Sequence, residues 1–147
     1  MKKRIFVLLA VLLFSAACAP KTGIEVRDAW MNPASQGATG GVYLTIHNYD
    51  KTDDVLVGVS AEVSQAAEIH ESKLENDVMR MRMVESAALP AGKSVEFAPG
   101  GWHIMLVNLA RPLADGDTIE ITLHFQQHAD ILVSVMVHTN ASEHEGH

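Results

Sequence analysis

The sequence holds a single cysteine, Cys18, and it stands at the end of the leader-like stretch MKKRIFVLLAVLLFSAAC. Everything beyond it is free of thiols, so disulfides, zinc–cysteine sites and thiol catalysis are excluded from the fold. Hydrophobic runs are short as well: the longest, Ile5–Phe14, follows Lys2, Lys3 and Arg4 and ends in small residues. That is the layout of a secretory signal peptide over residues 1–17, and the run is too short for a permanent membrane span. Positive charge is also scarce. Eleven Lys and Arg face eighteen Asp and Glu, and loss of the three basic leader residues takes the formal charge from −7 to about −10. So acidic a chain repels phosphate backbones, which argues against nucleic acid as a partner. Nothing of the form Gly-x-Ser-x-Gly occurs, and hydrolase chemistry has no support from a motif.

Cleavage before Cys18 would make it the first mature residue and a lipidation site, as in anchored bacterial lipoproteins. Ser15 departs from the aliphatic residue usual in such signals, and a plain signal-peptidase cut after Ala17 would leave Cys18 unmodified. A linker over residues 18–23 then leads into one domain over residues 24–138. The last residues, 139–147, are small, polar and histidine-bearing, and read as a flexible tail.

Within the domain, short β-prone runs alternate with turn signals. Strands are expected near Ile24–Trp30, Val42–Asn48, Val55–Ser60, Ala67–Glu71, Val78–Val84, Ser94–Phe97, His103–Asn108, Thr118–Phe125 and Ile131–His138. In the eighth of these Ile119, Ile121, Leu123 and Phe125 share one face and polar residues take the other. Turns are marked by Asn32-Pro33, Gly40-Gly41, Asp50 to Asp54, Glu75-Asn76-Asp77, Pro90-Ala91-Gly92, Pro99-Gly100-Gly101 and Asp115-Gly116-Asp117. Ser60 to Ala67 has room for a short helical piece. The pattern as a whole predicts an all-β antiparallel sandwich or barrel.

Aromatic residues are few, 5% of the chain, whereas all eight histidines and every methionine but Met1 lie beyond the leader. Met79, Met81 and Met83 alternate with Arg80 and Arg82, so the three thioethers share one face of a strand. A methionine in a strand is ordinarily core filling, and that is the expectation for Met79 and Met83, with an auxiliary thioether role as the alternative. His103 and Met105 also share a face, with His70 and Met81 upstream. Two imidazoles and two or more thioethers are soft, neutral donors, which favours Cu(I) over zinc or oxygen-seeking ions. Thioethers also persist in an oxidising compartment, where thiolates are lost to disulfides.

The spacing is the specific feature: His70, ten residues, Met81, twenty-one residues, then His103-x-Met105. In that spacing, and in Glu68-Ile69-His70, Met79-Arg80-Met81, Leu89-Pro90-Ala91-Gly92 and Pro99-Gly100-Gly101-Trp102-His103-Ile104-Met105-Leu106, the chain resembles the PCuAC family of periplasmic copper chaperones. The resemblance runs from about Ile24 to Phe125. It implies a cupredoxin-like Greek-key β-sandwich, monomeric and not an enzyme. It further implies a single Cu(I) bound by His70, Met81, His103 and Met105, and delivery to the copper centres of a respiratory cytochrome oxidase, directly or through an assembly factor. His138, His144 and His147 could form a secondary Cu(II) site at the C-terminus. His47, His124 and His128 read as surface histidines, and Asp53, Asp54, Asp115 and Asp117 as solvated turn acids.

Competing classes can be weighed on composition. An electron-transfer cupredoxin needs a cysteine ligand, and none is available within the fold. A copper dismutase needs closely spaced histidines such as His-x-His, which are missing. A metal-free exported adhesion or assembly module, with the His/Met set as core, is the remaining alternative.

Overall fold

Alternation in the sequence becomes ten strands in the computed structural model, which describes residues 21–139. They are β1 (Ile24–Met31), β2 (Gly40–Asn48), β3 (Asp54–Ser60), β4 (Ser64–Glu75), β5 (Val78–Val84), β6 (Ala87–Leu89), β7 (Ser94–Phe97), β8 (Trp102–Leu109), β9 (Thr118–Phe125) and β10 (Ile131–Val137). The expected leader, Cys18 and the tail from residue 140 lie outside the described residues. Among the described residues there is no helix.

The strands form one hydrogen-bonded sheet in the order β5-β4-β8-β7-β2-β1-β10-β9-β3-β6, with β8 also pairing β2. It folds over on itself as a sandwich, with β3 packed against β4. Val42, Leu44 and Ile46 of β2 point inward, as do Ile104 and Leu106 of β8, Ile119, Ile121 and Leu123 of β9, and Val133, Val135 and Val137 of β10. Each such side chain, fully buried, contributes about 1.5–3 kcal/mol relative to exposure. Their neighbours in sequence face outward, and this strict alternation delivers the functional side chains to the outer surface.

Pairing is mostly antiparallel, as expected, but the sheet is mixed. β1 runs parallel to β10, with the His138 amide donating to the Met31 carbonyl at 3.0 Å, and β7 runs parallel to β8. The β7–β8 contact is the single pair Phe97↔Trp102, whereas a longer parallel pairing such as that of β1 and β10 needs a long connection. The whole domain supplies one for β1 and β10.

Two expectations change at β4 and β6. The room for a helix at Ser60 to Ala67 is taken up by β4, which starts at Ser64 and pairs with β8 through Ser64↔Leu109, Ala66↔Val107 and Ala67↔Leu106. Small residues such as Ala66 and Ala67 carry no period of their own, so the neighbouring strand decides. β6 is three residues long, too short for alternation to show. A further correction concerns Asp54, expected to be solvated. It is buried: Oδ1 accepts from the amides of Val55 and Gln127, and Oδ2 from that of His128, tying the end of β9 to the start of β3.

The β4–β5 hairpin closes at Asn76 and Asp77, with φ of 51° and 63°. Two successive positive φ values define a type I′ turn, whose twist suits a two-residue hairpin and which Asn and Asp tolerate. The turn sets the register Leu74↔Met79, Ser72↔Met81, His70↔Met83. β5 is an edge strand and is nearly all exposed.

Candidate metal centre

His103 enters β8 from the turn Pro99-Gly100-Gly101, where Gly100 has φ of 81°, a conformation glycine adopts without strain. Trp102 packs on Phe97, with ring centroids 6.1 Å apart, and so fixes which way the strand faces. With Ile104 buried at 0% exposure, His103 and Met105 take the outer face. β4 lies alongside β8 in the register His70↔His103 and Glu68↔Met105. β5 lies beyond β4.

One patch of outer surface therefore gathers the expected ligands. His103 Nε2 is 3.0 Å from Met81 Sδ, and the rings of His70 and His103 stand 5.6 Å apart, tilted by 45°. Met105 is half-buried on the same face, two residues on from His103. His103 is 5% exposed although it faces outward, because Met81 covers it on one side and Tyr43 stands on the other at 6.5 Å between centroids. Gly41, opposite Met105, makes room for that wall: a Cβ there would meet the Tyr43 hydroxyl oxygen at 3.0 Å.

Hydrogen bonding orients both imidazoles. His103 Nδ1 lies 3.1 Å from the Gly101 carbonyl, which also accepts from the Ser72 amide at 2.9 Å. A carbonyl only accepts, so Nδ1 carries the proton and Nε2 turns its lone pair toward Met81. Burial pushes the His103 pKa below its ordinary value, and the Gly101 bond opposes it. Burial thus favours the neutral ring, the form that binds metals. His70 Nε2 lies 2.8 Å from Glu68 Oε2.

Of the residues singled out as auxiliary, Met79 and Met83 are not packed: they are 55% and 62% exposed, against an expectation of core filling. The β4–β5 hairpin carries them past the sandwich, where no second layer exists to bury them. Met83 stands beside His70 in register. His138 stacks on Trp30 at 5.3 Å, and Trp30 and Tyr43, 4.8 Å apart, separate it from His103. His144, His147 and Cys18 lie outside the described residues.

The other histidines are partly exposed and paired. His47 Nδ1 is 2.7 Å from Ser94 Oγ; His124 bridges Ser60 Oγ (3.0 Å) and Asp130 Oδ2 (2.9 Å); His128 lies 3.9 Å from Asp50. The sequence assigned Glu68, Gly101 and Tyr43 no role beside the histidines. Glu68 in Glu68-x-His70 was open to detection as a same-face neighbour; Tyr43 was not, because β2 and β8 are distant in sequence.

Among the described residues no cluster of three or more His, Cys, Asp or Glu could hold a metal ion. Nitrogen and thioether sulfur together are the donors that meet here. A neutral set of this kind suits a soft ion of low charge and gives no advantage to Mg²⁺ or Ca²⁺.

The chain has relatives among known proteins. The chain is 32% identical over 116 residues to "Putative lipoprotein Lxx21020" of Leifsonia xyli, covering 78% of this chain and 69% of the relative. It is 30% identical over 122 residues to "Uncharacterized protein RP573" of Rickettsia prowazekii, covering 80% and 67%. Among solved structures, the copper-bound PCuAC domain from PmoF2 superposes with a TM-score of 0.67 at 22% identity, covering 80% of this chain and 93% of that one. The CuI-DR1885 protein of Deinococcus radiodurans gives 0.62 at 24%, covering 86% and 83%. These likenesses establish a shared PCuAC-type, cupredoxin-like fold. The profile of the LpqE-like family, described as "Putative lipoprotein LpqE-like", matches residues 24–137, and the chain belongs to that family.

Proposed function

We propose that this protein is an exported copper carrier that binds one Cu(I) through His70, Met81, His103 and Met105. The observation that carries the reading is the approach of Met81 Sδ to the free lone pair of His103 Nε2 at 3.0 Å, with His70 as the cross-strand neighbour. The β4–β5 hairpin and the later strand β8 bring these donors together, and core packing accounts for none of their outward positions. Support comes also from the copper-bound state of the PCuAC domain from PmoF2 and from the Cu(I) form of DR1885, both of the same fold.

Carrying and release follow from the donors. Neutral thioethers give no charge compensation to Cu⁺, so the site holds its cargo less tightly than thiolates would. Met81 is 55% exposed, on an edge strand, and a receiving protein can attack from that side by stepwise ligand exchange. Met79 and Met83 flank the approach and serve as auxiliary thioethers during hand-over. The receiver is a copper subunit of a respiratory cytochrome oxidase or its assembly factor, met in the periplasm, with the carrier lipid-anchored through Cys18. The lipoprotein name of the Leifsonia relative supports the anchor.

Anaerobic titration against a chromophoric Cu(I) chelator tests the reading. One Cu(I) per chain is expected, with sharp loss in His103→Ala. Equal binding by parent and variant would leave the metal-free assembly module as the better account.

A further inference from the structure

The two site histidines are held in opposite senses. His103 has its Nδ1 proton on Gly101 and presents Nε2. In His70 the Nε2 atom faces Glu68 Oε2 at 2.8 Å, while Nδ1 is shut off from solvent and has no hydrogen-bond partner. A neutral imidazole has one N–H and one lone pair, and a carboxylate only accepts. In the neutral form of His70 the proton therefore sits on Nε2. Its Nδ1 lone pair is left buried with nothing to receive it, an arrangement uncommon enough in folded proteins to need an explanation.

We infer that Glu68 is a positioning residue for the Cu(I) site: it locks His70 in the Nε2–H tautomer so that the orphaned Nδ1 is the atom offered to the metal. The pair then binds Cu(I) through unlike nitrogens, Nδ1 of His70 and Nε2 of His103. A carboxylate behind a metal-binding histidine fixes the ring and raises the basicity of the ligating nitrogen. Here it also brings one negative charge near a site whose donors are neutral, offsetting part of the charge of Cu⁺. Glu71, the next acid along β4, faces the opposite side and is engaged by Lys73 at 3.0 Å and Arg82 at 3.1 Å. Glu68 is paired with Met105 across the β4–β8 ladder, so one rigid register sets the carboxylate, His70, His103 and Met105 together.

This inference rests on the copper reading, and one experiment separates the two. Long-range proton–nitrogen correlation spectra of ¹⁵N-labelled processed protein report the protonated nitrogen of each ring, before and after one equivalent of Cu(I). Expected are a His70 protonated at Nε2 in the metal-free protein, and metal-induced shifts at His70 Nδ1 and His103 Nε2. Glu68→Ala should mix the His70 tautomers and weaken Cu(I) binding about 10–100-fold. Glu68→Gln, which keeps an acceptor oxygen, should preserve the tautomer and bind between parent and alanine variant. A shift at His70 Nε2, with Glu68→Ala binding as tightly as the parent or more so, would make Glu68 a competitor of the metal and overturn the inference alone. No shift on either histidine would overturn the copper reading and this inference with it.

Discussion

Replacing Met81 by leucine removes a sulfur while keeping a side chain of nearly the same bulk, so it separates ligation from packing. More than half of Met81 is in solvent, and what it buries is worth about 1 kcal/mol. Leucine retains most of that, and for a domain of this size the melting temperature of the metal-free protein should move by no more than about 4 °C. Cu(I) binding should respond differently. Losing a residue that merely supports a ligand costs about 10–100-fold in metal affinity, and losing a direct donor 3.0 Å from His103 Nε2 should reach at least the upper end. A hundredfold corresponds to about 2.8 kcal/mol, well above the packing effect. Met83→Leu is the matched control. Met83 lies on the same strand face, is 62% exposed and sits beside His70, so its loss should change affinity by less than about 1 kcal/mol. Competition with a chromophoric Cu(I) chelator, with thermal melts alongside, reads both quantities. Parent-like binding by Met81→Leu, or an equal loss in Met83→Leu, would refute the placement of the metal.

Other parts of the structure can be probed in the same way. Because burial lowers the His103 pKa, the unfolded state binds more protons than the folded one below about pH 6.5. Metal-free stability should therefore fall as pH drops from 6.5, and His103→Gln should remove that step in urea titrations run from pH 7 to 5. Glu25, Glu71 and Asp117 have depressed pKa values from their hydrogen-bonded partners, and their contributions are lost only as pH falls further, below their ordinary range. Asp54→Ala should cost about 3 kcal/mol or more by orphaning the amides of Gln127 and His128, seen as a lower urea midpoint. Asn76→Val forces a β-branched residue to φ of 51° and should cost about 1–3 kcal/mol. It should also weaken Cu(I) binding, since that turn sets the register of Met81.

Much of the β architecture was legible because burial on one face of a strand writes a period of two into the sequence. β2, β9 and β10 show it plainly, and the turns between them carry Gly, Asn, Asp or Pro for steric reasons. β6 was hidden by its length and the start of β4 by its alanines, since neither carries a pattern without its partner strand. Methionine was misread at 79 and 83 because an alternating apolar face looks the same whether or not a second layer covers it. Asp54 was misread because burial of a turn acid depends on amides seventy and more residues away.

Sequence alone determined which donors are available: no thiol beyond Cys18, imidazoles and thioethers at fixed spacing, and so the softness of the ion they would suit. Only the tertiary structure decided which partner the ring nitrogens of His70 and His103 meet, that Met81 Sδ stands 3.0 Å from His103 Nε2, and that His138 stacks on Trp30. Donor chemistry belongs to residue types and can be read one at a time. Registry, tautomer and exposure belong to pairings between strands, and these exist only once the sheet has closed.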